Sequence, residues 1–345
     1  MTSIFVFISG AALLVYSAEK LIGYLVWASS ALKISAFLLA IIFTGIEFDD
    51  IVLGVALNLE GLQGVALGLV LGTAVSFIGV VLALGAILAP TEVDIPRDYI
   101  AIFAAAPLVM VPFALAGSIT AAGAAVLLAV FCLFVAYVAV RELRRATPTF
   151  RNVEVYEELV EADAARQPLH SERDEAVATM MPSVETRRLP GWASLGMAVL
   201  ALGGIIVGAA AMSTGTEGIL ETYGIGGTVF GATIVTAVLS IEDLFLTVQP
   251  IRKGVPEIGI GNVIGSLVFS VTGKLGVVVL AGGSIAVSSD VLSWHLPALI
   301  VVTGLAAYFL ATGRLQRWHG YALLGFYITY WIISFVVYGG APVED

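Results

Sequence analysis

Almost the whole chain consists of long apolar runs that hold few charges, and such runs have few folds open to them. About 20 apolar residues suffice for a helix to cross the hydrocarbon core of a bilayer. In lipid each backbone N–H and C=O must be paired within the structure, which a helix achieves by itself. Of 345 residues, 59% are hydrophobic and 12% charged, with a mean hydropathy of +1.01; a soluble domain has roughly 45–50% apolar residues. The composition predicts an all-α polytopic membrane protein. The first run, residues 4–29, is longer than the apolar core of a cleaved leader and contains Glu19 and Lys20, so it reads as a first crossing helix and not a signal peptide.

Polar breaks divide the chain into ten expected transmembrane helices, at 3–27, 32–58, 63–88, 98–117, 119–140, 191–213, 225–249, 257–283, 290–312 and 318–339. The one long polar stretch, 141–190, mixes charges of both signs and reads as a solvated linker between a first five-helix repeat, 1–140, and a second, 191–345. Eight of the sixteen basic residues lie in it. Basic loops stay on the cytoplasmic side, so the expectation is a multi-pass protein of the cell membrane with a cytoplasmic linker and its N-terminus outside. Lys33, Arg97, Arg252, Lys253, Arg314 and Arg317 then fall inside as well. The net charge of −10, with only four lysines, argues against a nucleic-acid partner, which needs a basic face, and fits the acidic surface of a protein from a high-salt organism.

Five helices per half is an odd number, so the second half enters the bilayer from the opposite side and the two repeats are inverted. Their sequences agree in places. GLVLGTAV at 68–75 matches GNVIGSLV at 261–268 at an offset of 193, and the same offset pairs Asp50 in GIEFDD with Asp243 in VLSIED.

Around that match sit Glu47, Asp49 and Asp50 in the second helix, and Glu242 and Asp243 in the seventh. A charge at the bilayer centre costs about 2.5–3.5 kcal/mol on insertion scales. Intramembrane cations are scarce, so a bound metal ion, protons or water are expected to compensate the acids. Helical spacing places Glu47 with Asp50, and Ser240 with Asp243, on shared faces, giving a cluster of Asp50, Asp243, Glu47 and Ser240. Asp49 and Glu242 are expected at a second polar cavity or the water entrance. Gly45 marks a place where the second helix could break. The paired glycines Gly68, Gly72, Gly261 and Gly265 allow close helix packing, and that approach would bring the Thr73 and Ser266 hydroxyls to the carboxylates. One turn on stand Phe77 and Ser270, of which only Ser270 can be a ligand.

These motifs resemble the calcium/cation antiporter superfamily, which includes the sodium/calcium exchangers. Members have ten helices in two inverted five-helix repeats, with a GTSLPE-like segment in helices 2 and 7 and a GNVIGS-like one in helices 3 and 8. Here GNVIGS stands at 261–266, GLVLGT is its partner at 68–73, and residues 17–50 look like the family's first repeat leading into its motif. The resemblance implies that the family's ion-binding glutamates fall on Asp50 and Asp243. It places the motif hydroxyls on Glu47 and Ser240, and the glycine-helix hydroxyls on Thr73 and Ser266. The motif threonines are replaced by Ile46 and Leu239, the prolines by Asp49 and Glu242, and the first-repeat polar residue after the hydroxyl by Phe77.

The resemblance implies a secondary-active antiporter working by alternating access, with no enzymatic activity and no cofactor. Hard oxygen ligands suit Ca²⁺, Mg²⁺ or Mn²⁺. Glu47, Asp50 and Asp243 supply three formal negative charges, enough for one divalent ion or for two or three Na⁺ or H⁺, so Ca²⁺ exchange against Na⁺ or H⁺ is the leading expectation. A monovalent cation/proton antiporter on the same fold is the alternative. An intramembrane metal-dependent enzyme is disfavoured because HExxH and GxSxG are missing. Glu19 and Lys20 read as a locally compensated pair, Lys274 as a tethered cation answering Glu242 or Asp49, and Cys132 as inert packing. His170, His295 and His319 are scattered through the linker and helix ends.

Overall fold

Apolar runs that must satisfy their own backbone in lipid become helices, and helices dominate the computed structural model, which describes residues 2–31, 47–93, 95–142, 191–252 and 256–339. In chain order the described helices are α1 (Thr2–Ala31), α2 (Phe48–Leu59), α3 (Gln63–Leu88), α4 (Arg97–Leu115), α5 (Ala121–Glu142), α6 (Gly191–Tyr223), α7 (227–252), α8 (256–282), α9 (Val291–Ala311) and α10 (Arg317–Tyr338). Seven described helices, α3–α6 and α8–α10, are long and apolar enough to cross a membrane. Their outer faces carry bare apolar side chains such as Leu133, Val199, Tyr308 and Val336. Such a surface is unfavourable in water and neutral against acyl chains. The molecule is a multi-pass helical membrane protein.

Two helices form the centre. Of their apolar windows, α3 is 94% buried and α8 89%, against 28% for α5 and for α10. Glycine accounts for the tight packing of α3. A Cβ on Gly68 would stand 2.2 Å from the Thr228 carbonyl oxygen of α7, and one on Gly231 of α7 would stand 2.2 Å from the Val65 carbonyl oxygen of α3. Outside this centre the long helices α1 and α6 pack along each other.

Both central helices contain a π-helical turn, Phe77–Leu82 in α3 and Ser270–Lys274 in α8, and these start 193 residues apart. Four two-residue strands tie the loops: β1 (Thr91–Glu92), β2 (Ser118–Ile119), β3 (Ile285–Ala286) and β4 (Arg314–Leu315). β1 pairs antiparallel with β4, joining the α3–α4 loop to the α9–α10 loop. β2 pairs with β3, joining the α4–α5 loop to the α8–α9 loop.

Several expectations change. Apolar content alone ends the sixth helix near 213, but α6 runs to Tyr223, and its extra turns carry Glu217 and Glu221. The second helix is not continuous through its acidic motif: Glu47 has extended backbone (φ −93°, ψ 97°) and α2 starts at Phe48. Cys132 is exposed on α5 instead of packed. The expected helix over 32–46 and nearly all of the 141–190 linker lie outside the described residues.

Candidate functional site

The N-terminus of α2 points a cluster of acids into the centre of the molecule. Glu47 caps the helix, its carbonyl accepting the Ile51 N–H at 3.1 Å, and Asp49 and Asp50 occupy the first turn. Carboxylates are favoured there because the first helical N–H groups are unpaired and the helix dipole is positive at that end. Asp50 is buried, with 2% exposure. Its Oδ2 lies 3.0 Å from Thr73 Oγ1 of α3. The same hydroxyl lies 2.7 Å from the Leu69 carbonyl, so its single proton serves one acceptor at a time.

The chain itself supplies the counter-charge. Lys274, the last residue of the π-turn in α8, is fully buried, and its ammonium donates to both Glu47 Oε2 and Asp50 Oδ2. It also lies 6.0 Å from the centroid of the Phe269 ring, whose face favours a cation. The expected partners of Lys274, Glu242 or Asp49, are therefore corrected to Glu47 and Asp50. The expectation that bound ions, protons or water compensate the acids is corrected for these two, which a lysine of the chain answers. An ammonium and carboxylates removed together from water cost far less than either alone.

Around this ion triad the other candidate residues divide. Glu47 Oε1 and Ser270 Oγ are enclosed without a hydrogen-bond partner among the described residues. Ser266 and Ser240 are buried, with 1% and 6% exposure. Asp243 is partly buried, and its charge, like that of Asp50, acts on Glu47. Asp49 is partly buried beside Asp50, within reach of that residue's charge. The side chain of Glu242 lies outside the described set. Asn262, inside GNVIGS, donates to Thr247 Oγ1 at 3.3 Å, a bond between α8 and α7.

Lys274 is the functional candidate whose partners the sequence reading missed, although a signal existed. It lies four residues past Ser270 and eight past Ser266, on the helix face that carries both hydroxyls. His295, expected at a helix end, is fully buried: its Nδ1 lies 2.7 Å from the Tyr330 hydroxyl and its Nε2 3.9 Å from Asp290 Oδ2. Lys20 lies 5.5 Å from the centroid of the Tyr16 ring, while the Glu19 side chain is outside the described set.

Comparison with known proteins fits this geometry. The sequence model of the sodium/calcium exchanger protein family matches residues 193–336, the stretch that contains Ser240, Asp243, GNVIGS and Lys274. Over 142 residues the chain is 31% identical to the sodium/calcium exchanger MaX1 of Methanosarcina acetivorans, covering 40% of each protein. An uncharacterized membrane protein of Methanocaldococcus jannaschii is 30% identical over 142 residues, 39% of this chain and 43% of that one. The matched stretch thus spans about two fifths of these curated relatives. Among solved structures, the sodium-calcium exchanger NCX_Mj soaked with 2.5 mM Na⁺ and 0.1 mM Ca²⁺ superposes over 98% of both chains, with a TM-score of 0.55 and 19% identity, which establishes the shared fold. The chain thus carries the sequence pattern of the sodium/calcium exchanger protein family over residues 193–336 and shares the fold of a sodium-calcium exchanger over nearly its whole length.

Proposed function

We propose that this protein is a secondary-active cation antiporter that exchanges a divalent cation, Ca²⁺ foremost with Mg²⁺ and Mn²⁺ as candidates, against Na⁺ or H⁺ by alternating access. The observation that carries the reading is the buried cluster at the α2 N-terminus, where Glu47 and Asp50 meet Thr73 of α3 and Lys274 of α8 between the two most enclosed helices. Asp49, Asp50, Glu47, Thr73, Ser240, Glu242, Asp243, Ser266 and Ser270 are the candidate ligands, all hard oxygen donors suited to such ions.

Ten crossings in two inverted repeats, 1–140 and 191–345, joined by a cytoplasmic 141–190 segment, form the scaffold of this reading. Two internal correspondences support it. The π-turns of α3 and α8 begin at the offset of 193 that also relates the sequence motifs. The strand pairs are exchanged by the same symmetry: β1 corresponds to β3 and β2 to β4, and the pairs are β1 with β4 and β2 with β3.

The test is uptake by purified protein in proteoliposomes, with Ca²⁺, Mg²⁺ and Mn²⁺ each offered under an outward Na⁺ gradient and under a pH gradient. Gradient-driven Ca²⁺ uptake is expected. No driven uptake of any of the three would overturn the reading. Lys274 lends weight to one second reading, a monovalent cation/proton antiporter, because a resident ammonium lowers the charge left for a divalent ion. Na⁺ flux driven by pH in the absence of divalent flux would select it.

A further inference from the structure

The ammonium of Lys274 has to be counted among the charges of the site. It is fully enclosed and takes one oxygen from each of Glu47 and Asp50, while Glu47 Oε1 and Ser270 Oγ, enclosed in the same region, bond to none of the described residues. The site is thus divided: some oxygens hold a cation that belongs to the chain, and others are open to a cation that does not. A lysine fixed to α8 moves only as far as its four-carbon stem allows and cannot leave with cargo.

We propose that Lys274 is a built-in monovalent cation that takes the place of one transported ion and fixes the exchange at one divalent cation for two monovalent ones. The proposal rests on the exchanger reading above. With Asp49 and Glu242 placed, as their helical spacing implies, at a second polar cavity or the water entrance, the charges at the ion are those of Glu47, Asp50 and Asp243, three formal negative charges, and the ammonium leaves two. One divalent or two monovalent cations neutralise that remainder, so both loaded forms are neutral and the exchange moves no net charge. Without the ammonium three charges remain, three monovalent ions would be needed against each divalent one, and each cycle would move one charge. Glu47 stands where the family resemblance implies a hydroxyl, so Glu47 and Lys274 together add no net charge.

Proteoliposomes whose membrane potential is clamped with valinomycin and a K⁺ gradient test this, with Ca²⁺ as the probe and whichever of the Na⁺ and pH gradients drives its uptake. In the wild type the steady-state Ca²⁺ accumulation is expected to stay unchanged across clamped potentials. In Lys274→Met it is expected to shift about tenfold for each tenfold change in the K⁺ gradient, as one moved charge requires. Lys274→Arg, which keeps the charge, should behave as wild type, and Glu47→Ser/Lys274→Met should be insensitive again. Potential-dependent accumulation in the wild type, or an insensitive Lys274→Met, overturns the proposal. If Lys274→Met fails to fold, the wild type and the charge-balanced double variant still decide it. A wild type that takes up Ca²⁺ but responds to potential refutes only this inference, whereas a wild type with no driven divalent uptake refutes the exchanger reading, and the inference with it.

Discussion

At Asp50 a single carboxylate oxygen meets both the Thr73 hydroxyl and the Lys274 ammonium, so replacing this side chain has two separable consequences. Asp50→Asn keeps the shape and removes the charge. Divalent exchange is expected to disappear, because the charge left for the ion falls below two. Lys274 would keep Glu47 as a partner, so the fold is expected to survive with a lower unfolding temperature; removing one member of a buried ion pair costs about 3–5 kcal/mol. Asp243→Asn, which removes one of the three charges counted at the ion, is likewise expected to abolish exchange. Ca²⁺ uptake together with thermal unfolding in detergent checks both, and undiminished uptake in either variant would remove that residue from the site. Spacing along the chain made part of this visible. Glu47 and Asp50 do converge on one cation, but through an extended cap residue and not a shared helical face. The Lys274 partnership joins residues more than 220 positions apart, and such pairing depends on how α2 and α8 dock, which no local pattern encodes.

Among the elements, the contact between α3 and α7 is set by atoms that are missing. A Cβ on Gly72 would stand 2.4 Å from Thr236 Oγ1 and 2.5 Å from the Ala232 Cα, closer than van der Waals contact permits, so the helices would have to part. Gly72→Ala is therefore expected to destabilise the protein by about 1–3 kcal/mol, the usual range for overpacking. It should also depress transport, since Thr73 is the next residue. Gly304→Ala on α9, where nothing lies within 4 Å, is the matched control and should leave thermal stability and flux near wild type. If the two variants melt alike, the close approach of α3 and α7 is not what holds them. The glycine spacing was legible as a packing signal. The π-turns that follow were not, because an extra residue in a turn leaves no mark on the apolar pattern of a helix buried on every side.

Across the whole molecule, the loop strands turn the topology into something that can be measured from outside the membrane. β1 and β4 lie together, and the basic residues Arg97, Arg314 and Arg317 flank that pair, whereas the loops carrying β2 and β3 hold no lysine or arginine. By the positive-inside rule the first pair is expected to face the cytoplasm and the second the exterior. Cys132 is the only cysteine, so Cys132→Ser gives a background without thiols in which single cysteines report their own side. Glu92 and Ala286 are both exposed and belong to opposite pairs. A membrane-impermeant maleimide added to intact cells is expected to label Ala286→Cys and to spare Glu92→Cys until the membrane is opened. From Glu92 the chain passes through α4, α5, α6, α7 and α8 before reaching Ala286. Five crossings separate the two positions if each of these helices spans once, and an odd number is what opposite labelling requires. Labelling of both from the same side would mean that one of these helices does not cross, most simply α7, whose apolar described stretch Gly227–Ser240 is the shortest of the five. The proposed inverted arrangement of the two halves would then fall, and with it the symmetry proposed to relate Asp50 to Asp243.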